Sequence, residues 1–378
     1  MIGINSNINS LVAQQNLNGT QSALSSAITR LSSGKRINSA ADDAAGQAIA
    51  SRMTSQINGL NQGVSNANDG VSMTQTASSG LNQITDNLQR IRQLAVQAST
   101  GSLSASDQAA LQKEVAQRIS EVNRIASQTT YNGTNVLDGS AGNVSFQVGA
   151  NVGQTISVDL SQGVSAAKLG GGFAQSGTAI GSVSGLSLNA SGASTTGTAA
   201  ITTINVLADG KGGFTYTDQN NQSISATVAT SSVFSATAAS GTTAGSLAFQ
   251  ATFASSASTS QTSSLASLNS NNTPPLVSAI DISTANGANG AIESIDNALQ
   301  AVNSIQANLG AAQNRFTSIA STQTQQSTNL SSAQSQITDA NFAQETANLS
   351  KAQVLQQAGI SVLAQANSLP QQVLKLLG

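Results

Sequence analysis

Apolar residues in the last third of the chain recur at alternating steps of three and four. From Val302 the walk reaches Ile305, Leu309, Ala312, Phe316, Ile319, Gln323, Gln326, Leu330, Ala333 and Ile337, and nine of these eleven positions are apolar. A seam this narrow predicts one long helix packed as a coiled coil. The positions span roughly 50 Å at ~1.5 Å per residue. The two glutamines weaken the seam and could help to fix its register.

The first third carries a matching pattern. Leu17, Leu24 and Leu31 repeat every seven residues, with Ile28 beside them. Ile49, Met53, Ile57, Leu60, Val64, Ala67 and Val71 form a second seam. After a slip in phase, Leu81, Ile84, Leu88, Ile91, Ala95 and Ala98 form a third. A further helix is expected to open at the capping box Ser104-x-x-Asp107 and to run through Leu111, Val115, Ile119, Val122 and Ala126. Such seams could belong to an ordinary helical bundle. Their placement at both chain ends, around a non-helical middle, points instead to an antiparallel association of the two ends.

From Tyr131 the period changes to two. Val144, Phe146 and Val148 alternate with polar residues, Gly149-Ala-Asn-Val-Gly153 turns the chain, and Ile156, Val158 and Leu160 alternate again, which predicts a β-hairpin. Between Ser161 and Asn272 the chain is rich in Ser, Thr, Ala and Gly. Ala200–Leu207 and Gly213–Thr217 read as strands, with disorder as the competing reading because aliphatic density is low. Pro274-Pro275 marks a boundary, since proline disfavours helix in the residue before it.

Composition narrows the function classes. Aromatic residues make up 3% and charged residues 8%, with a net charge of -2 and no His, Cys or Trp. Between Arg124 and Arg315 the only basic residues are Lys168 and Lys211, so no cluster suits a nucleic-acid backbone. Without His or Cys the commonest general base, the commonest metal ligand and thiolate chemistry are missing. No cofactor is expected. No basic-then-apolar leader and no run of ~18 apolar residues is visible, so neither a secretory signal peptide nor membrane insertion is expected. The adjacent acids Asp42-Asp43 read as helix-terminal charges paired with Arg36 or Arg52. Arg90 and Arg92 could face solvent or a partner. The sequons at Asn132, Asn143, Asn221 and Asn271 are expected by chance in so polar a chain.

Several longer stretches are specific. Arg30-Leu-Ser-Ser-Gly-Lys-Arg-Ile-Asn-Ser-Ala-Ala-Asp-Asp-Ala-Ala-Gly-Gln-Ala-Ile-Ala50 resembles the N-terminal signature of bacterial flagellins almost residue for residue. So do Asn66–Met73, Leu88–Gln97 and Phe146–Asn151. At the other end, Leu309–Phe316, Leu355-Gln-Gln-Ala-Gly359, Leu363-Ala-Gln-Ala-Asn367 and Val373-Leu-Lys-Leu-Leu377 are similar to the family's C-terminal region. The likeness covers roughly residues 1–160 and 285–378. Gln93 stands where the family often has Glu, Gln334 and Gln336 where two arginines are common, and Asn341 where Asp is frequent.

The expected fold class is α+β: a long antiparallel helical coiled-coil bundle built from both chain termini, with a β-rich hairpin region and a variable, β-rich outer domain in the middle. The resemblance implies a filament-core helix at 1–45, a helical bundle with hairpin at 46–160, the outer domain at 161–284, a bundle helix at 285–340 and a second filament-core helix at 341–378. It implies a structural subunit, not an enzyme, that is secreted unfolded through the flagellar export apparatus. That subunit polymerises into the extracellular flagellar filament used for motility. The assembly seam would comprise Leu17, Leu24, Leu31, Ile57, Leu60, Val64, Leu88, Ile91, Val302, Ile305, Leu309, Phe316, Ile319, Leu330 and Ile337.

The implied partners are other copies of the chain, the export apparatus and an export chaperone, cap and junction proteins, and the host flagellin-sensing Toll-like receptor. Receptor contacts carry over by resemblance as Arg90 and Leu94 on one helix and Glu114 on the next. Three rival readings are a hook–filament junction protein, a Ser/Thr-rich surface adhesin, and an enzyme hosted in the middle.

Overall fold

The computed structural model describes residues 7–240 and 243–377, with side chains placed as far as Ser368. The side chains of the ending Val373–Leu377 lie outside this range. The chain forms two compact units. The first holds Met1–Ala67, Gln147–Gln154 and Ser318–Gly378, and the second holds Asn68–Phe146 and Thr155–Thr317.

Helix α1 spans Ile8–Ser33. Asn7 caps its N-terminus by accepting from the Ser10 amide at 3.2 Å, and Gly34 ends it in the left-handed region at φ 68°. Helix α2, Ala44–Ala98, continues through the slip in apolar phase as a single element, and helix α3 covers Ala105–Gln128. The capping box expected at Ser104 and Asp107 is present in both directions. Helix α7 spans Ala285–Thr338 and helix α8 spans Phe342–Leu377.

In the first unit α1 and α8 run antiparallel. Asn7 donates to the Ala366 carbonyl at 2.8 Å, Gln356 to Gln21 at 2.5 Å, and Arg30 reaches Glu345 at 3.5 Å. Residues of α2 and α7 meet with the same opposed direction: Gln334 donates to Thr54 at 2.6 Å and Ser327 to Asn61 at 2.9 Å. The seam on α7 differs here from the regular three-four walk. Gln326 is exposed and Ser327 is buried, because the helix takes two successive steps of four after Ile319. A helix turning every 3.6 residues drifts from a strict 3.5 repeat, and a four-step restores the seam. Ile49 is likewise exposed, with Ala50 turned inward.

In the second unit Leu81, Ile84, Leu88, Ile91, Leu94 and Ala95 of α2 are fully buried, as are Val115 and Val122 of α3 and Val302 of α7. Each large aliphatic among them contributes about 1.5–3 kcal/mol of transfer energy. Two polar pairs tie α2 to α7: Asn82 accepts from Gln306 at 2.9 Å, and Arg92 grips Asp296 at 2.6 and 3.1 Å. Strands β1 (Thr130–Tyr131) and β2 (Thr134–Asn135) pair through the two-residue loop Asn132-Gly133, whose positive φ values of 49° and 78° define a tight hairpin turn. The expected hairpin follows as β3 (Gly142–Gln147) and β4 (Thr155–Leu160).

The middle is ordered. Strands β5 (Ala179–Leu188), β6 (Ile201–Ala208), β7 (Phe214–Asp218) and β8 (Ser223–Ile224) make an antiparallel sheet in sequence order, with Val183 opposite Ile204 and Val206 opposite Tyr216. Helix α4 (Ala226–Ser232) leads to a second ribbon of β9 (Phe234–Thr237) and β10 (Ser246–Phe249), then to the short α5 (Ala251–Ala254) and to α6 (Thr259–Asn272).

Six of the ten aromatic residues stand here, at 173, 214, 216, 234, 249 and 253, so the segment poorest in charge holds most of the bulk. Phe234 stacks between Tyr216 and Phe249 at centroid distances of 5.9 and 6.0 Å. A core of Ile180, Val183, Ile204, Phe234 and Leu268 closes over them, and its burial raises the Tyr216 phenol to about 12. The disorder reading fails because these few large side chains lie together. Helix α6 forms although its run of Ser and Thr does not predict a helix. Its signal was the capping box Ser258-x-x-Gln261, which is formed.

Candidate functional site

The α1–α8 pair leaves much of its apolar surface uncovered. Its buried apolar residues are small: Ala13, Ala27, Ala352 and Ala366. Leu17, Leu24 and Leu31 are only half-buried. Ile8, Leu11, Val12 and Ile28 of α1 are exposed, as are Phe342, Val354, Leu355, Ile360 and Val362 of α8. Two helices can cover one stripe on each other, whereas these carry apolar residues on further faces. Contiguous exposed apolar surface of this kind marks an interaction site.

Polar contacts fix the ends of this surface. Asp42 accepts from the amides of Asn38 and Ser39 at 3.1 and 3.0 Å, and lies 3.7 Å from Arg30. The Ser39 and Asn38 amides hold its carboxyl below the usual range. Asp43 accepts from the Gly46 amide at 2.9 Å, a cap at the start of α2. The acid pair is thus a turn-and-cap device, and its cationic neighbour is Arg30 instead of Arg36 or Arg52. Arg36 donates to the Ile337 carbonyl at 2.5 Å.

The family substitutions keep local bonds without charge. Gln334 reaches Thr54 and the Ala50 carbonyl, and Asn341 accepts from the amides of Ala343 and Gln344, which caps α8.

On α2 and α3 the three residues carried over as receptor contacts separate. Arg90 bonds Glu114 at 2.9 Å and Gln93 at 3.3 Å on the surface. Leu94 is 1% exposed and belongs to the core beneath them. Four residues advance the helix about 40° past a full turn, enough at a core edge to bury one member of the pair. Gln93, lacking the family's charge, serves as a second acceptor for Arg90. Arg92 is held by Asp296, whose hydrogen bond raises the guanidinium above its ordinary value.

Among the described residues no group of three or more His, Cys, Asp or Glu side chains could hold a metal ion. None of the described helices is long and apolar enough to cross a membrane.

Long helices from both chain ends, with an uncovered apolar surface on the terminal pair, fit a structural subunit of the self-assembling class. Three family profiles match in order: the bacterial flagellin N-terminal helical region at residues 4–142, the flagellin D2 domain at 172–271, and the bacterial flagellin C-terminal helical region at 292–377. The chain is 37% identical to Flagellin B of Vibrio cholerae over 386 residues, covering all of both proteins. It is 42% identical to flagellin of Serratia marcescens over 374 residues, covering 99% of each.

The solved structure of FliC from Burkholderia pseudomallei is 58% identical, with a TM-score of 0.61, and covers 65% of this chain and all of that one. The chain belongs to the bacterial flagellin family, and it is a structural subunit of the flagellar filament. Full-length likeness to flagellins favours this over the junction-protein and adhesin readings.

Proposed function

We propose that polymerisation proceeds through the exposed apolar faces of α1 and α8. The observation that carries this reading is the set of large side chains at Ile8, Leu11, Val12, Val354, Ile360 and Val362, which the pair alone leaves in water. In this reading the chain has no catalytic role, and it reaches the cell exterior through the flagellar export apparatus with an export chaperone, meeting cap and junction proteins at the growing filament. Absence of cysteine suits export in an unfolded state, because no disulfide can form before or after passage. Negative-stain microscopy of the purified chain tests assembly: long filaments formed without other proteins support it, and a monodisperse monomer under all salt conditions overturns it.

We propose a second role at α2 and α3, recognition of the monomer by the flagellin-sensing Toll-like receptor. Arg90 and Glu114 supply an exposed, preorganised ion pair, and Leu94 holds its backing from the core. Arg90→Ala is expected to weaken receptor binding by about 1–3 kcal/mol, the usual range for interface anchors. A titration with folded monomers decides the matter, equal affinities removing the site.

A further inference from the structure

The middle domain joins the helices through a stem of two antiparallel segments, residues 166–175 and 271–279. The Gly171 amide donates to the Pro275 carbonyl at 3.1 Å, Val277 to Leu169 at 3.0 Å, Ser278 to Ala166 at 3.0 Å and Ala174 to Asn272 at 3.4 Å. Gly170, Gly171 and Gly172 are all left-handed, with φ of 76°, 63° and 88°. That conformation is costly for other residues. Helix α7 clamps the stem, since Asn297 donates to the carbonyls of Gly171 and Phe173 at 2.9 and 3.0 Å.

Beside this clamp lie unpartnered polar atoms. Glu293 is 6% exposed with its Oε2 unbonded, and Ser294 is fully buried with its hydroxyl unbonded. A Cβ added to Gly170 would stand 2.5 Å from that hydroxyl, so Ser294 lies directly against the stem. A buried carboxylate with a free oxygen is costly while ionised and much less so when protonated, because the neutral form needs less solvation and can donate.

We infer that Glu293 is a pH-sensitive latch for the stem, which is held more firmly when its carboxyl is protonated and loosens when it ionises. The charged groups around it do not offset burial. Arg92 on α2 favours the ionised form but is committed to Asp296, which stands one turn along α7 and opposes it. From the stem, the Gln175 backbone amide favours the ionised form. The other charged residues there are engaged elsewhere, Lys168 with the Asp138 carbonyl and Asp281 with the Ser283 amide. From α3, uncharged Gln112 bonds the backbone of Ile280 and Ile282. Burial pushes the Glu293 carboxyl above its ordinary value, which agrees with the geometry.

A raised folded value means that the native state holds the proton over a window where the unlatched state has lost it. Stability of the stem therefore rises as pH falls through the raised value, and levels off below the ordinary carboxyl value of about 4.3. Within that window the opening constant should change by up to about tenfold per pH unit.

The test is amide hydrogen exchange of the full-length monomer, corrected for intrinsic rates, at Gly171, Ala174, Val277 and Ser278. Protection should increase on acidification in the wild type, and be high and independent of pH in Glu293→Gln. Carbon-13 titration of the wild-type Glu293 carboxyl provides a second measurement that needs no variant. A midpoint at or below about 4.3, or stem protection with the same pH dependence in both proteins, overturns the latch.

Discussion

Gly70 on α2 lies against the ring of Phe316 on α7: a Cβ at Gly70 would stand 2.6 Å from the ring's Cζ and 2.7 Å from Cε1. Phe146 meets the same ring edge-on, at 5.3 Å and 87°. Three elements converge on one aromatic side chain in a chain that has few. Gly70→Ala gains about 1 kcal/mol of helix propensity. It loses about 1–3 kcal/mol to overpacking, since a ring fixed on both sides cannot shift. The expected outcome is net destabilisation, and Phe316→Ala should cost about 3–5 kcal/mol. Urea denaturation of the three monomers checks both, and a stabilised Gly70→Ala variant would show that the ring moves.

Assembly should fail when charge enters the α1–α8 pair. Val354→Glu and Ile360→Glu alter exposed positions, so monomers should keep their helical circular dichroism. Each substitution removes about 1.5–3 kcal/mol of burial per subunit contact. Critical concentration should therefore rise by about tenfold for each 1.4 kcal/mol lost. Sedimentation of assembled material across a concentration series gives the answer, and unchanged values would move the contact to another face.

The middle domain should be dispensable for polymerisation. Its stem brings Ala174 and Asn272 within 3.4 Å, backbone to backbone, so residues 175–271 can be removed and the ends rejoined without a gap. A cut at about residue 265 would instead split α6 and leave Leu268 without its core. The full excision should yield filaments in negative stain, whereas their loss from a folded monomer would make the domain part of the assembly.

Acid should loosen the turn that precedes α2. Amides of Ser39 and Asn38 hold Asp42 below its ordinary range. A lowered folded value contributes stability above the ordinary value of about 3.9 and loses it as pH falls through the folded value. Hydrogen exchange at Asn38 and Ser39 should accelerate, after correction, as pH drops below about 4, and Asp42→Asn should show weakened protection at neutral pH. Protection that is flat across this range would remove Asp42 from the turn's support.

Arg90 and Leu94, the pair proposed for receptor contact, show how far periodicity reaches. Spacing alone puts Arg90 and Leu94 on one face, yet the packing of α3 and α7 decides that one is outside and the other inside. In the same way Arg30 becomes the neighbour of Asp42 although Arg36 is closer in sequence. Which charges meet depends on where the chain turns, and local pattern does not encode that.

The seams by themselves determined the long helices, their opposed pairing and the hairpin at Gly142–Leu160, because burial of a regular stripe leaves one partner and one direction. The Ala200–Leu207 and Gly213–Thr217 alternations likewise located β6 and β7 nearly to the residue. Tertiary structure decided the rest. It gathered five scattered aromatics into a core that orders the middle, replaced Gln326 by Ser327 at the α7 seam, and left one oxygen of buried Glu293 unbonded beside a glycine stem. Each of these depends on distances between residues far apart in sequence, where packing density, and not period, selects which side chain is covered.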